Sequence, residues 1–352
     1  MEEDGDDITY VGDVPVPNGY TASQISKEDS EEEGLVIYEI PNGATVNWTD
    51  NEDSNGKNQS TITIGGNTTN LQETVNQYVW IPADINSMVM CESNTGASQC
   101  NLVYDEVADT LTCQTHPETA TNLVGRLYTS SLVNTGPGIY SYTMDFAKRD
   151  QTYYDINSYH EPNTVYYDAD YNLGIDQLKS DFTAMAKSVA KNGGFYISRY
   201  EVGGNGESKK NQKVLTAASS DGSNYLGANM WYGLYNTIRK IDENKQMIWG
   251  CQYDQVIKFI GEPAQVGHSD RNLTTDHALS GQNEQDCMNN IYDLEGNHYE
   301  WTAEAYSTNL RAFRGGYHSL AAGGDFYPAS FRDSNDPPAS YIIISSRTTL
   351  YL

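Results

Sequence analysis

The chain has 352 residues and a formal net charge of −27, with hydrophobic residues at 38% and charged residues at 20%. Such an excess of negative charge repels nucleic-acid phosphates and anionic lipid headgroups, so neither is expected as a partner. No apolar run approaches the length of a bilayer span and no apolar signal-peptide core is present, so membrane insertion by this chain is not expected.

The length suits one large domain with an appendage, or two ordinary domains. Residues 1–34 are acidic and turn-rich, with Lys27 followed by Glu28-Asp29-Ser30-Glu31-Glu32-Glu33. They read as a stalk or an extended segment draped over the main domain, because such composition buries too little apolar surface to order itself. The acidic opening is unusual for a domain, and an anchor or export segment is expected outside this chain. Leu35 to Tyr38 predicts a strand, and Thr45–Thr49 with Thr61–Ile64 a hairpin, giving a small β decoration over 35–75.

From Gln77 the pattern changes. Tyr78-Val79-Trp80-Ile81-Pro82 predicts a buried strand stopped by proline, and Met88-Val89-Met90 another. Leu178, Phe182, Met185 and Val189 at helical spacing predict a helix over 176–192, stopped by Gly193-Gly194. A strand over Gly194 to Val202 follows, then helices near Ala228–Ile241 and Gln252–Ile260. Short strands at Tyr341–Ile344 and Thr348–Tyr351 close the chain. Cys100 and Cys113 bracket a predicted hairpin, so either a disulfide there, one using Cys91, or five free thiols counting Cys251 and Cys287 would fit.

Several segments resemble the formylglycine-generating (sulfatase-modifying-factor) family, a branch of the C-type-lectin-like fold. Tyr78 to Pro82 looks like its opening strand, and Gly194 to Val202 resembles its "FxIxxYEVT" strand. Asn290-Ile291-Tyr292-Asp293-Leu294-Glu295-Gly296-Asn297-His298-Tyr299-Glu300-Trp301 is similar to "GLYDMxGNVWEW". Arg311 to Gly316 is similar to "RVxRGGSW", and Ser346-Arg347 stands in for the closing "GFR". Between them, Met247 to Gly261 departs heavily from the family's wording. The resemblance covers about 76–352 and implies an α+β, C-type-lectin-like fold. Gly296-Asn297 is also a turn signal in its own right, since both residues tolerate positive φ.

The family's oxidases use a cysteine pair near the C-terminus to hold copper, and this chain has no cysteine after Cys287. Its six histidines (His116, His160, His268, His277, His298, His318) lack the clustered spacing of an iron site. Neither an enzyme nor a redox cofactor is therefore expected. The resemblance does imply a structural Ca²⁺ at Asp293, Gly296, His298 and Glu300, through carboxylates and backbone carbonyls. A turn closed by hydrogen bonds alone is the alternative.

From Gly315 to Leu352 the chain contains no Lys, Glu, Gln, Met or Trp. That restriction is what codons ending in a pyrimidine produce, and the segment resembles the diversified tail of variable proteins from diversity-generating retroelements. A chance run in a loop-rich tail is the other account. Under the first, Tyr317, His318, Ser319, Leu320, Asp325, Phe326, Tyr327, Phe331, Asp333, Asn335 and Tyr341 form an exposed contact patch. Arg314, Arg332 and Arg347 would hold the scaffold. The resulting expectation is a protein displayed at the cell surface, extracellularly or on a virion, binding a protein or glycan on another cell, virus or host surface. Its alternatives are an oxidase of the formylglycine type and an invariant structural surface or pilus subunit.

Overall fold

The computed structural model describes residues 8–91, 99–115, 128–136, 139–144, 175–204, 206–215, 231–239, 241–242, 244–261, 266–268, 279–305, 311–317, 329–335 and 343–352. These residues are mostly β-strand with few helices. β1 (Thr9–Val11) and β2 (Val14–Val16) form a hairpin, and β3 (Tyr20–Ala22) pairs antiparallel with β4 (Val36–Glu39). β5 (Thr45–Asn47), β6 (Thr61–Ile64) and β7 (Asn67–Asn70) make a small sheet that leads into the one-turn helix α1 (Leu71–Thr74).

β8 (Gln77–Pro82) then enters the centre of the molecule. β9 (Val89–Cys91), β10 (Gln99–Asp105) and β11 (Thr110–Thr115) form a three-stranded sheet, whose register sets Cys100 opposite Thr115 and Cys113 opposite Leu102. β12 (Tyr128–Gly136) and β13 (Ile139–Met144) belong to a sheet completed much later by β16 (Val266–His268).

The main helix, α2 (Ile175–Asn192), buries Phe182, Met185, Ala186 and Val189 completely, as its 3.6-residue spacing requires. It stops at Gly193, whose φ of 73° lies in the left-handed region. β14 (Gly194–Ser198) follows, then α3 (Trp231–Arg239), β15 (Lys245–Met247) and α4 (Gly250–Ile260), which ends at Gly261. β17 (Cys287–Met288) and β18 (Ile291–Tyr292) form a two-stranded ribbon. β19 (Tyr299–Ala305), β20 (Arg311–Arg314), β21 (Arg332–Asn335), β22 (Ile344–Ser346) and β23 (Thr348–Leu350) complete the chain.

Two sheets position everything else. The larger has the order β15-β23-β14-β8-β4-β3 and is antiparallel throughout. The smaller has the order β21-β20-β19-β22, with β19 and β22 parallel. One apolar core joins α2, α3 and α4 to both, and Phe182 meets Trp249 edge to face at 4.9 Å.

The expected divisions at 34 and 75 do not mark separate bodies among the described residues. β3 and β4 are strands of the same sheet as β8, so the N-terminal segment is draped and integrated rather than standing off as a stalk. Val14, Val16 and Leu35 pack beside Tyr78, Trp80 and Tyr196, and Glu28 is buried against Arg199 at 2.7 Å. The acidic run thus supplies the buried partner of a core arginine.

Candidate functional site in the C-terminal hairpin

β20 and β21 form a hairpin in which Arg314 pairs with Arg332 and Phe313 with Asp333. Gly315 leaves β20 with φ 79°, and a Cβ there would stand 2.6 Å from the Leu294 carbonyl oxygen, so the turn needs glycine. The connecting residues 318–328 lie outside the described ones, and with them His318, Ser319, Leu320, Asp325, Phe326 and Tyr327; Tyr341 does too.

The three C-terminal arginines are all buried and each has an acidic partner on another element. Arg314 donates to Asp254 of α4 at 3.1 Å and lies over the Tyr253 ring at 4.9 Å. Arg332 donates to Glu304 of β19 at 2.8 Å. Arg347 donates from Nε to Glu300 Oε1, and from its other nitrogens to the carbonyls of Ser198, Arg199 and Tyr292. Planar guanidinium groups suit such divergent multidentate bonding, and they tie the hairpin, the turn before β23 and the central strands into one framework.

Around Arg347 lies a dense buried acid cluster. Glu201 accepts from the Asn297 amide and from the His298 backbone N–H at 3.0 Å. Asp293 accepts from the Gly281 N–H at 2.6 Å. Burial pushes the carboxyls of Glu201 and Glu300 up to about 8, against the pull of Arg347, and raises Asp293 well above the usual range. Asp293 and Asn297 both hold left-handed φ, at 63° and 57°, which makes the tight turn that Gly296-Asn297 announces. Sequence reasoning gave Glu201 no role, although it is the one acid in the strand-like segment Phe195–Val202.

This geometry does not fit the Ca²⁺ inferred at Asp293, Gly296, His298 and Glu300. Glu300 is bonded to a guanidinium and Asp293 to a backbone amide, so the centre of the cluster is a cation the chain itself provides. No group of three or more His, Cys, Asp or Glu among the described residues is placed to hold a metal. His298 is fully buried, with Nδ1 3.4 Å from Glu201 Oε1.

The predicted contact residues divide. Tyr317 is half-buried, its ring 4.6 Å from that of Tyr299. Asp333 is exposed on β21 and Asn335 half-buried beyond it. Phe331 is a correction. It is 6% exposed and sits in the main core, 5.6 Å from the Tyr299 ring and 6.4 Å from Phe313. A side chain enclosed between those rings is a floor for the hairpin, not part of its outer face.

Among cysteines with described side chains, Cys251 on α4 and Cys287 on β17 are thiols rather than half-cystines. Burial pushes the Cys287 thiol up to about 11, away from the reactive thiolate. The side chains of Cys91, Cys100 and Cys113 lie outside the described residues.

No protein-family model matches the chain, and no curated protein matches it. Among solved structures, the Major Tropism Determinant U1 variant shares 11% identity over 98% of this chain and 85% of its own, with a TM-score of 0.33. Treponema denticola variable protein 1 shares 10% over 83% of this chain and 98% of its own, at 0.28. CarF shares 12% over 45% of this chain and 87% of its own, at 0.30. Overlaps this low do not by themselves establish a common fold.

Proposed function

We propose that this chain is a non-catalytic binding protein of C-type-lectin-like architecture, displayed extracellularly, on a cell surface or on a virion. It engages a protein or glycan on another cell, virus or host surface through its segment 315–352. The observation that carries this reading is the division of labour along one hairpin. Arg314, Phe331 and Arg332 are buried and packed or ion-paired, while Tyr317, Asp333 and Asn335 reach the margin of the same structure. A framework fixed from below lets the outward side chains change without unfolding the domain.

The missing Lys, Glu, Gln, Met and Trp after Arg314 support diversification by a retroelement acting on that face. Tyr317 supplies a rigid aromatic anchor and Asp333 with Asn335 adaptable hydrogen bonding, alongside residues 318–320, 325–327 and 341. No helix among the described residues is long and apolar enough to cross a membrane. Sequencing sibling copies of the gene tests the proposal. Substitutions confined to codons after Gly315, beside a template repeat and a reverse-transcriptase gene, are expected. Substitutions spread evenly through residues 36–302 would refute it.

A further inference from the structure

At the larger sheet, three side chains from distant parts of the chain, those of Glu39, Asn76 and Lys245, meet at one oxygen atom. Lys245 of β15 donates from Nζ to Glu39 Oε2 at 2.9 Å, and Asn76 donates from Nδ2 to the same oxygen at 2.8 Å. The Lys245 side chain is fully buried, with Nζ 5.8 Å and 5.4 Å from the ring centroids of Tyr20 and Tyr78. The Asn76 carbonyl accepts the Ser208 N–H at 2.8 Å, and the Asn76 main chain is held by the Glu39 N–H at 3.0 Å. An amine is thus held beside a carboxamide, with a carboxylate touching both nitrogens and a fixed N–H on the amide oxygen. Those are the parts an acyl transfer needs: a nucleophile, a proton relay and an oxyanion donor.

We propose that Lys245 and Asn76 form an intramolecular amide cross-link, made by the folded chain itself. Glu39 takes a proton from the Lys245 ammonium, and the freed Nζ lone pair adds to Asn76 Cγ. The negative charge that develops on Oδ1 is held by the Ser208 N–H. Glu39 passes its proton to Nδ2, the Cγ–Nδ2 bond breaks, and the second proton shed by Nζ follows by the same route. Ammonium leaves, one C–N bond has replaced another, and nothing is oxidised or reduced. A cleft of about 450 Å³ lined by Tyr20, Glu39, Asn76 and Lys209 among others gives ammonium its exit.

The link would join β15 to the start of β8, and β23 and β14 lie between those two strands in the sheet. The C-terminal strand β23 would then lie inside a covalently closed part of the sheet. The molecule also carries its own contrast. Lys57 and Asn211 share Glu73 in the same way, and Glu73 is about as exposed as Glu39 (33% against 37%), but the Lys57 side chain is 27% exposed where that of Lys245 is fully buried. Water solvates the Lys57 amine and holds it as the ammonium, so no link is expected there.

Intact mass spectrometry of the purified full chain, followed by peptide mapping, decides the matter. The expected mass falls short of the sequence mass by one ammonia, and digestion yields a branched peptide joining Asn76 to Lys245. Glu39→Gln and Lys245→Arg should each restore the sequence mass minus nothing but the substitution, and should melt below the linked protein. Linear peptides with intact Asn76 and Lys245 after prolonged incubation of folded protein at neutral pH would overturn the proposal. So would an ammonia loss that maps instead to Lys57–Asn211 or to a succinimide.

Discussion

Arg347 Nε and Glu300 Oε1 lie 2.5 Å apart with both side chains fully buried, at the point where the turn between β22 and β23 meets β19. The pair is not isolated, since Glu201 and Asp293 crowd the same guanidinium and the arginine spends its remaining donors on three carbonyls. Removing the cation leaves several buried acids with no positive partner and three carbonyls without a donor. Breaking a buried pair in this way typically costs about 3–5 kcal/mol. Arg347→Met should therefore lower the unfolding free energy in urea by about that amount. A loss under about 1 kcal/mol, the scale of a surface ion pair, would show that the cluster adds nothing to the fold.

The same cluster sets a pH dependence with a definite sign. Glu201 and Glu300 titrate near 8 in the folded protein against the ordinary value of 4.5, because burial disfavours their charged forms. A raised carboxyl contributes stability that is fully present below 4.5 and is lost as pH rises through 8. Exposed Asp50 and Asp53 behave oppositely, since backbone N–H bonds lower them, but their contribution changes only below the ordinary carboxylate range. The groups facing Glu201 and Glu300 are Arg347, Asp293, Asp286, His298 and Tyr253. The melting temperature should fall by roughly 2–5 °C between pH 5.5 and pH 8.5. Self-repulsion from the net charge of −27 adds to the trend, so Glu201→Gln is the control. A slope unchanged in that variant would assign the effect to overall charge.

The parts of this fold legible in the sequence are those whose periodicity and punctuation agree. α2 is the plainest, with Phe182, Met185 and Val189 on its buried face and Gly193 at its end. The end of the chain was far harder to read. The strand predicted at Thr348–Tyr351 is present as β23, but where one was predicted at Tyr341–Ile344 the pairing among the described residues runs over Ile344, Ser345 and Ser346, and the polar Ser345, Ser346, Thr348 and Thr349 are all buried. Their partners lie about 45 to 150 residues away, as in Ser346 to the Trp301 carbonyl and Thr348 to Ser198, and nothing local announces them. In the candidate site, Arg314, Arg332 and Arg347 were read as scaffold residues, but their partners Asp254, Glu304 and Glu300 were not. Phe331 was misplaced because one compositional rule was applied to the whole tail. The repeated dipeptides Phe313-Arg314 and Phe331-Arg332, whose arginines pair across the hairpin, carried the better signal.

Gly315 is the corner at which the chain leaves β20. Its φ of 79° is disfavoured for any L side chain, and a methyl group there would meet the Leu294 carbonyl at 2.6 Å. Strain and clash together should cost about 1–3 kcal/mol. Gly315→Ala is expected to melt lower than the parent by a few degrees. An unchanged melting curve would mean that the turn relaxes freely, and that the segment after it is not held by this corner.

The sharpest functional contrast lies between two aromatics packed on the same ring. Phe331 is enclosed by Tyr299 and Phe313, so Phe331→Ala opens a cavity in the core and should cost about 3–5 kcal/mol. Tyr317 rests on Tyr299 from the outside, half-exposed, and its truncation forfeits one ring contact worth about 1 kcal/mol. If the hairpin's outer face binds the target, Tyr317→Ala should weaken that complex by about 30-fold or more, the loss typical of an interface anchor, while the protein still melts as one cooperative unit. Phe331→Ala should do the reverse, with stability falling first and binding only as a consequence. Titrating both variants against the same immobilised target, with melting curves measured in parallel, separates the two. Full affinity in Tyr317→Ala would move the contact surface away from this face of the hairpin.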